Sequence, residues 1–108
     1  MLEKYILKEH EVVVAKNLME WALWVEETDR QVKLTYIGDV RISTVFLALN
    51  LNYNNEGLPL VFETYVFGGV KDGYIERYVT WNGAEEGHDR IVDMVKGLYT
   101  YIMKSEGH

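Results

Sequence analysis

Five side chains of this sequence have types that could do chemistry together: Thr44, Glu63, Arg77, Trp81 and His88. A carboxylate, a guanidinium and an imidazole suffice for anion binding or for acid–base work. Glu63 and His88 would be the acid–base pair of a small hydrolase. Arg77 and Arg41 could instead hold a phosphate, with Trp81 or Tyr65 stacking on a base. The same residues also have a structural use. His88 can bond to Glu63 or to a sheet hydroxyl and pin a helix to the sheet, and Glu63 can pair with Arg77. Arg41, Thr44, Glu63, Tyr65, Arg77, Trp81 and His88 are therefore candidate ligand-binding residues, and none is assigned a catalytic role.

The known motifs for harder chemistry are missing. The sequence has no G-x-G-x-x-G and no P-loop, so no phosphate-cradling glycine loop is expected. It has no H-E-x-x-H and no close acid–histidine cluster, so no metal or other cofactor is expected. Ser43 lacks the G-x-S-x-G setting of a serine nucleophile. There are no cysteines, hence no disulfide framework and no thiolate.

The candidates must be positioned by a few short elements. Leu60–Phe67 alternates: Leu60, Phe62, Thr64 and Val66 face one way, and Val61, Glu63, Tyr65 and Phe67 face the other. Val40–Leu49 alternates likewise, with Val40, Ile42, Thr44, Phe46 and Ala48 on one face. Its second half is apolar on both faces and should lie at the centre of a sheet, covered on both sides. Tyr74–Trp81 is the returning strand after the turn Gly68–Gly73. The turn residues allow two registers. Phe67 opposite Arg77 puts Glu63 opposite Trp81 and on the face of Arg77, and Phe67 opposite Tyr78 puts it on the face of Tyr78 and Thr80. A carboxylate on a mostly apolar face favours a cationic partner and so the first.

Lys4–Leu7 and Glu11–Ala15 read as an N-terminal hairpin, and Gln31–Ile37 turns at Gly38-Asp39 into Val40. Asn17 caps a helix to Thr28, with Leu18, Trp21, Ala22 and Val25 as its buried stripe and Trp24 widening it. Asn50–Pro59 is a loop. A second helix is expected over about Gly83–Met103, capped by Asn82 with Glu85. Ala84, His88, Ile91, Val95, Leu98 and Ile102 form its apolar stripe. His88 would sit near the positive end of this helix, which disfavours imidazolium. Lys104–His108 reads as a frayed tail. The expectation is one α+β domain over residues 1–108: an antiparallel sheet of four to six strands with two helices packed on it, in the order ββ-α-ββ-ββ-α. A sheet with only one face covered needs a further partner, so a homodimer or higher oligomer is expected.

Charge narrows the partners. The formal net charge is −6, with no basic face for general nucleic-acid binding. No apolar run approaches the ~20 residues needed to span a bilayer, and the first ten residues carry no apolar leader core. A cytoplasmic, non-membrane protein is expected.

Four stretches resemble a family of small proteins of tailed bacteriophages and prophages: STVFLALN (Ser43–Asn50), LVFETYVFGG (Leu60–Gly69), RYVTW (Arg77–Trp81) and A-x-x-GH (Ala84–His88). The family pattern runs S-T-V-F-L-G-L-D, F-E-T-M-V-F-G-G and R-Y-x-T-W-x-x-A-x-x-G-H, in the same order. This chain departs from it at Ala48, Asn50 and Tyr65, where the family has glycine, aspartate and methionine. The resemblance implies a phage origin and action in the cytoplasm of an infected bacterium. It implies no activity. A phage protein of this size suits non-enzymatic binding that counters host defence, by sequestering a nucleotide-like ligand or by blocking a host protein. A small Glu63/His88 hydrolase and a virion-accessory role are the alternatives.

Overall fold

A computed structural model describes residues 3–52 and 57–106. The order is β1 (Tyr5–Lys8), β2 (Glu11–Val14), α1 (Leu18–Glu27), β3 (Gln31–Ile37), β4 (Val40–Phe46), β5 (Phe62–Phe67), β6 (Ile75–Tyr78) and α2 (Trp81–Glu106). The architecture is α+β, as the sequence implies. The six strands divide into a β1–β2 hairpin and a four-stranded antiparallel meander, β3-β4-β5-β6.

Alternation in β4 and β5 builds one dry face. Ile42, Thr44, Phe46, Phe62, Thr64 and Val66 are buried there, and α2 lays Ala84, His88, Ile91 and Val95 across them. Each fully buried large apolar side chain contributes about 1.5–3 kcal/mol. The other face is only partly covered: Val45 and Leu47 are half-buried, so the second half of β4 is central in the sheet without being enclosed on both sides. The turn Gly38-Asp39 is as expected, with Gly38 at φ 58°. The β5–β6 turn relies on Gly68 and Gly69, both left-handed; a methyl on Gly69 would come within 2.7 Å of Val40.

Helix α1 opens as the cap pattern requires. The Asn17 side chain accepts from the Glu20 N–H at 2.8 Å, and Glu20 reaches back to the Lys16 N–H at 2.9 Å. Asn17→Ala is expected to cost about 1 kcal/mol, read as a lower chemical-denaturation midpoint. The buried stripe differs from expectation. Leu18 and Ala22 are exposed, while Trp21, Trp24 and Val25 pack against the Phe46 end of the sheet. Trp21 donates its indole N–H to the Ala48 carbonyl at 3.0 Å. Ala48 holds a left-handed φ of 65°, a conformation that glycine adopts without strain.

Helix α2 starts earlier and ends later than its sequence suggests. Thr80, not Asn82, is the cap, accepting the Gly83 N–H on its hydroxyl at 3.0 Å. Trp81 is therefore the first helical residue and not the end of a strand, and Lys104–Glu106 continue the helix instead of fraying. Residues 107–108, and positions 53–56 of the Asn50–Pro59 loop, lie outside the described residues. The long helix gives an elongated particle, 59 Å in its longest dimension, with a radius of gyration of 16.2 Å. A compact chain of this length would have about 13 Å. That shape leaves surface uncovered.

Candidate functional site

The seven candidates separate into three places. Thr44 and His88 lie in a buried polar line beneath α2. His88 Nδ1 is 2.7 Å from the Thr44 hydroxyl, and Nε2 is 2.8 Å from the Thr35 hydroxyl. Thr44 bonds Thr64 at 2.5 Å, and the Tyr78 hydroxyl donates to Thr64 at 3.0 Å. Each strand of the meander thus supplies one hydroxyl, and α2 supplies the imidazole. The roles on the ring depend on its tautomer. With Tyr78 donating to Thr64, one arrangement leaves no proton of the two fully buried threonines without an acceptor. Tyr78 gives its proton to Thr64, Thr64 to Thr44, and Thr44 to Nδ1. His88 is then neutral with its hydrogen on Nε2, which it donates to Thr35. Burial pushes the imidazole below its ordinary pKa, and the nearby Lys33 charge pushes the same way. Sequence reasoning assigned that direction to the helix terminus; the causes are burial and Lys33, since His88 sits two turns into α2.

The residues after His88 clamp the helix at both sheet edges. Asp89 accepts from Lys33 of β3 at 2.6 Å. Arg90 makes a two-pronged ion pair with Glu76 of β6 and holds the Glu76 carboxyl below its usual range. Tyr78, Glu76, Asp89, Arg90 and Thr35 were all missed from sequence. The alternation did carry one usable signal. Glu76 and Tyr78 share the face of Thr64 in any register that puts Glu63 with Arg77.

Arg41, Glu63, Tyr65 and Arg77 lie on the opposite, open face of the sheet. Consecutive strand residues point to opposite sides, and Thr64 faces His88, so Glu63 faces away from it. The Glu63–His88 acid–base pair is therefore not assembled, nor is a His88–Glu63 structural bond. Glu63 is on the face of Arg77 as expected, but the register differs: it opposes Arg77 directly and not Trp81. Arg77 Nε donates to the Glu63 carboxylate at 3.0 Å. Arg41 lies over the Phe67 ring at 4.1 Å, and Phe67 packs on Tyr65 at 4.3 Å. Leu34, Tyr36 and Ile75 share this face, and Tyr36 is 64% exposed. The register places Arg41 and Arg77 diagonally on either side of Tyr65.

Trp81 stands apart from both groups, at the end of the molecule where α2 begins. Its ring meets Phe62 edge-on at 6.2 Å and stacks on His10 of the hairpin turn. Asn50 closes the neck of the loop that follows β4. Its side-chain oxygen accepts from the Asn52 and Leu60 N–H groups at 2.8 and 3.0 Å.

No protein-family model, curated protein or solved structure matches this chain. Function is therefore inferred from this geometry. Among the described residues, no group of three or more histidine, aspartate or glutamate side chains could hold a metal ion, and no helix is long and apolar enough to cross a membrane.

Proposed function

We propose that this chain is a non-enzymatic binding protein that docks a protein partner across the open face of its four-stranded sheet. The observation that carries the proposal is the aromatic and cationic array of that face: exposed Tyr36, Arg41 and Phe67 around the half-buried Tyr65, beside exposed Leu34 and Ile75. Tyrosine and arginine are the types that anchor interfaces, and a contiguous apolar patch on one face marks an interaction site. Thr44, Thr64 and His88 beneath α2 are fully buried and hydrogen-bonded to one another and to Thr35 and Tyr78, which suits a scaffold. The resemblance to phage proteins makes a host bacterial protein the intended partner, inhibited by contact. The Arg41 and Arg77 guanidiniums on that face favour acidic groups on the partner's docking surface. A nucleotide-like ligand on the same face is the second reading, favoured by the two arginines flanking Tyr65.

The test uses a Tyr36→Glu/Phe67→Glu double variant, whose circular dichroism and melting point should match wild type. Immobilised wild type is expected to retain a cytosolic bacterial protein that the double variant loses, with purified partner confirming at least a 100-fold affinity difference. Equal retention by the variant rejects the face. A dimer in light scattering, dissociated by the same variant, assigns the face to a second copy instead. A melting-point rise with a signalling nucleotide, lost in Arg77→Ala, supports the second reading.

A further inference from the structure

We propose that the cleft between the β1–β2 hairpin and the start of α2 binds a nucleobase-type heterocycle, stacked on Trp81 in the place that His10 now occupies. The His10 imidazole lies flat on the Trp81 indole, with ring centroids 3.7 Å apart and 6° between planes. That is how a planar base sits on an aromatic platform. The other close ring partner of Trp81, Phe62, meets it at 87°.

Two hollows flank the stack. One, of about 390 Å³, is lined by Tyr5, Val12 and Val79; the other, of about 250 Å³, by Asn82. Both are also lined by His10, Glu11, Thr80 and Trp81. The imidazole lines both hollows, and a ligand that takes its place on Trp81 would have the two hollows, of the size range that holds small ligands, on either hand. Little holds the imidazole in place. His10 is exposed, it sits on a two-residue turn after the left-handed Glu9, and nothing among the described residues hydrogen-bonds to it. The Trp81 ring, by contrast, is braced by Phe62.

Polar chemistry selects the ligand. A carboxylate such as that of Glu11 accepts hydrogen bonds and donates none. It favours a heterocycle edge with paired N–H donors, such as the N1–H and N2–H edge of guanine, through charge-assisted bonds. The same carboxylate, in a chain of net charge −6, disfavours a phosphate. The expected ligand is a base or nucleoside, guanine-like over adenine-like.

The experiment is ligand-observed NMR with isothermal titration, using guanosine as probe and adenosine for comparison. Wild type is expected to bind guanosine more tightly than adenosine. His10→Ala should tighten guanosine binding several-fold, because the platform no longer has to be vacated. Glu11→Gln should weaken it and narrow the preference. Both substitutions are at exposed positions, and unchanged melting points will show that the fold is kept. Trp81→Phe should reduce affinity by about fivefold or more, since stacking on an aromatic is worth about 1–3 kcal/mol per base. Absence of guanosine binding at about 1 mM in both wild type and His10→Ala overturns the proposal. So does binding that His10→Ala and Glu11→Gln leave unchanged. The stack would then be a latch that holds the hairpin to the helix.

Discussion

Replacing Gly87 by alanine is expected to lower the melting temperature by about 10 °C or more, while the same replacement at Gly97 should raise it. Both glycines lie inside α2, and each gains about 1 kcal/mol of helix propensity on becoming alanine. Their surroundings differ. A methyl on Gly97 meets nothing within 4 Å. A methyl on Gly87 would overlap the Tyr78 ring at its edge and its hydroxyl. That ring is only 9% exposed and cannot simply swing into solvent. Moving it breaks the Tyr78–Thr64 bond and strips Thr64 of a buried partner. Overpacking costs about 1–3 kcal/mol, and an orphaned buried hydroxyl about 1–3 kcal/mol more. These together outweigh the propensity gain by about 1–5 kcal/mol, with a central value of about 3 kcal/mol. At roughly 4–8 °C per kcal/mol for a domain of this size, the two variants should separate clearly in a thermal melt. In a Tyr78→Ala background the ring is gone, and Gly87→Ala should become neutral or stabilising. An equal loss in both backgrounds would show that the close approach to Tyr78 is not what position 87 requires.

The second large effect concerns His88 and acid. His88→Leu removes the acceptor for the Thr44 proton and the donor to Thr35 together. It should destabilise by about 3 kcal/mol, since buried hydroxyls left unpaired cost about 1–3 kcal/mol each. The pH dependence has a definite sign. The imidazole is held neutral in the fold, its pKa lowered from the ordinary 6.5, chiefly by burial. The unfolded chain therefore takes up the proton first as pH falls. The stability of the neutral state is fully present above about pH 6.5 and declines below it, until the folded imidazole titrates as well. Protonation would also place a hydrogen on Nδ1, and the Thr44 hydroxyl would then have to turn and accept from it. Denaturant midpoints measured from pH 7.5 to 5.5 should fall for wild type. In His88→Gln, which keeps one donor and one acceptor, they should start lower and fall less. Parallel curves would reject this account of the network.

Much of this fold was legible in the residues themselves. Alternation in Val40–Phe46 and Phe62–Phe67 sorted side chains between faces correctly, because strand geometry leaves no other choice. The 3.6-residue rhythm from Ala84 to Ile102 set the buried side of α2 and placed His88 on it, and the placement of Glu63 beside Arg77 followed from charge on an apolar face. The separation of His88 from Glu63 was also within reach. His88 lies on the apolar stripe of its helix, so it had to meet the apolar face carrying Phe62 and Thr64, and Glu63 was already on the other side.

Composition and periodicity determined the element types, the α+β class and the membership of each face, since these depend on local sterics and on which side chains avoid water. Tertiary structure alone decided the rest. The start of α2 turned on competition between two good caps, Thr80 and Asn82, which the return of the chain from β6 settled in favour of Thr80. The β5–β6 register depended on how Gly68–Gly73 closes, where several turns satisfy the same residues. The Tyr78–Thr64–Thr44–His88–Thr35 line joins five elements, and the His10–Trp81 stack joins residues 71 positions apart. Such pairings are set by how whole layers pack, and no spacing along the chain encodes them.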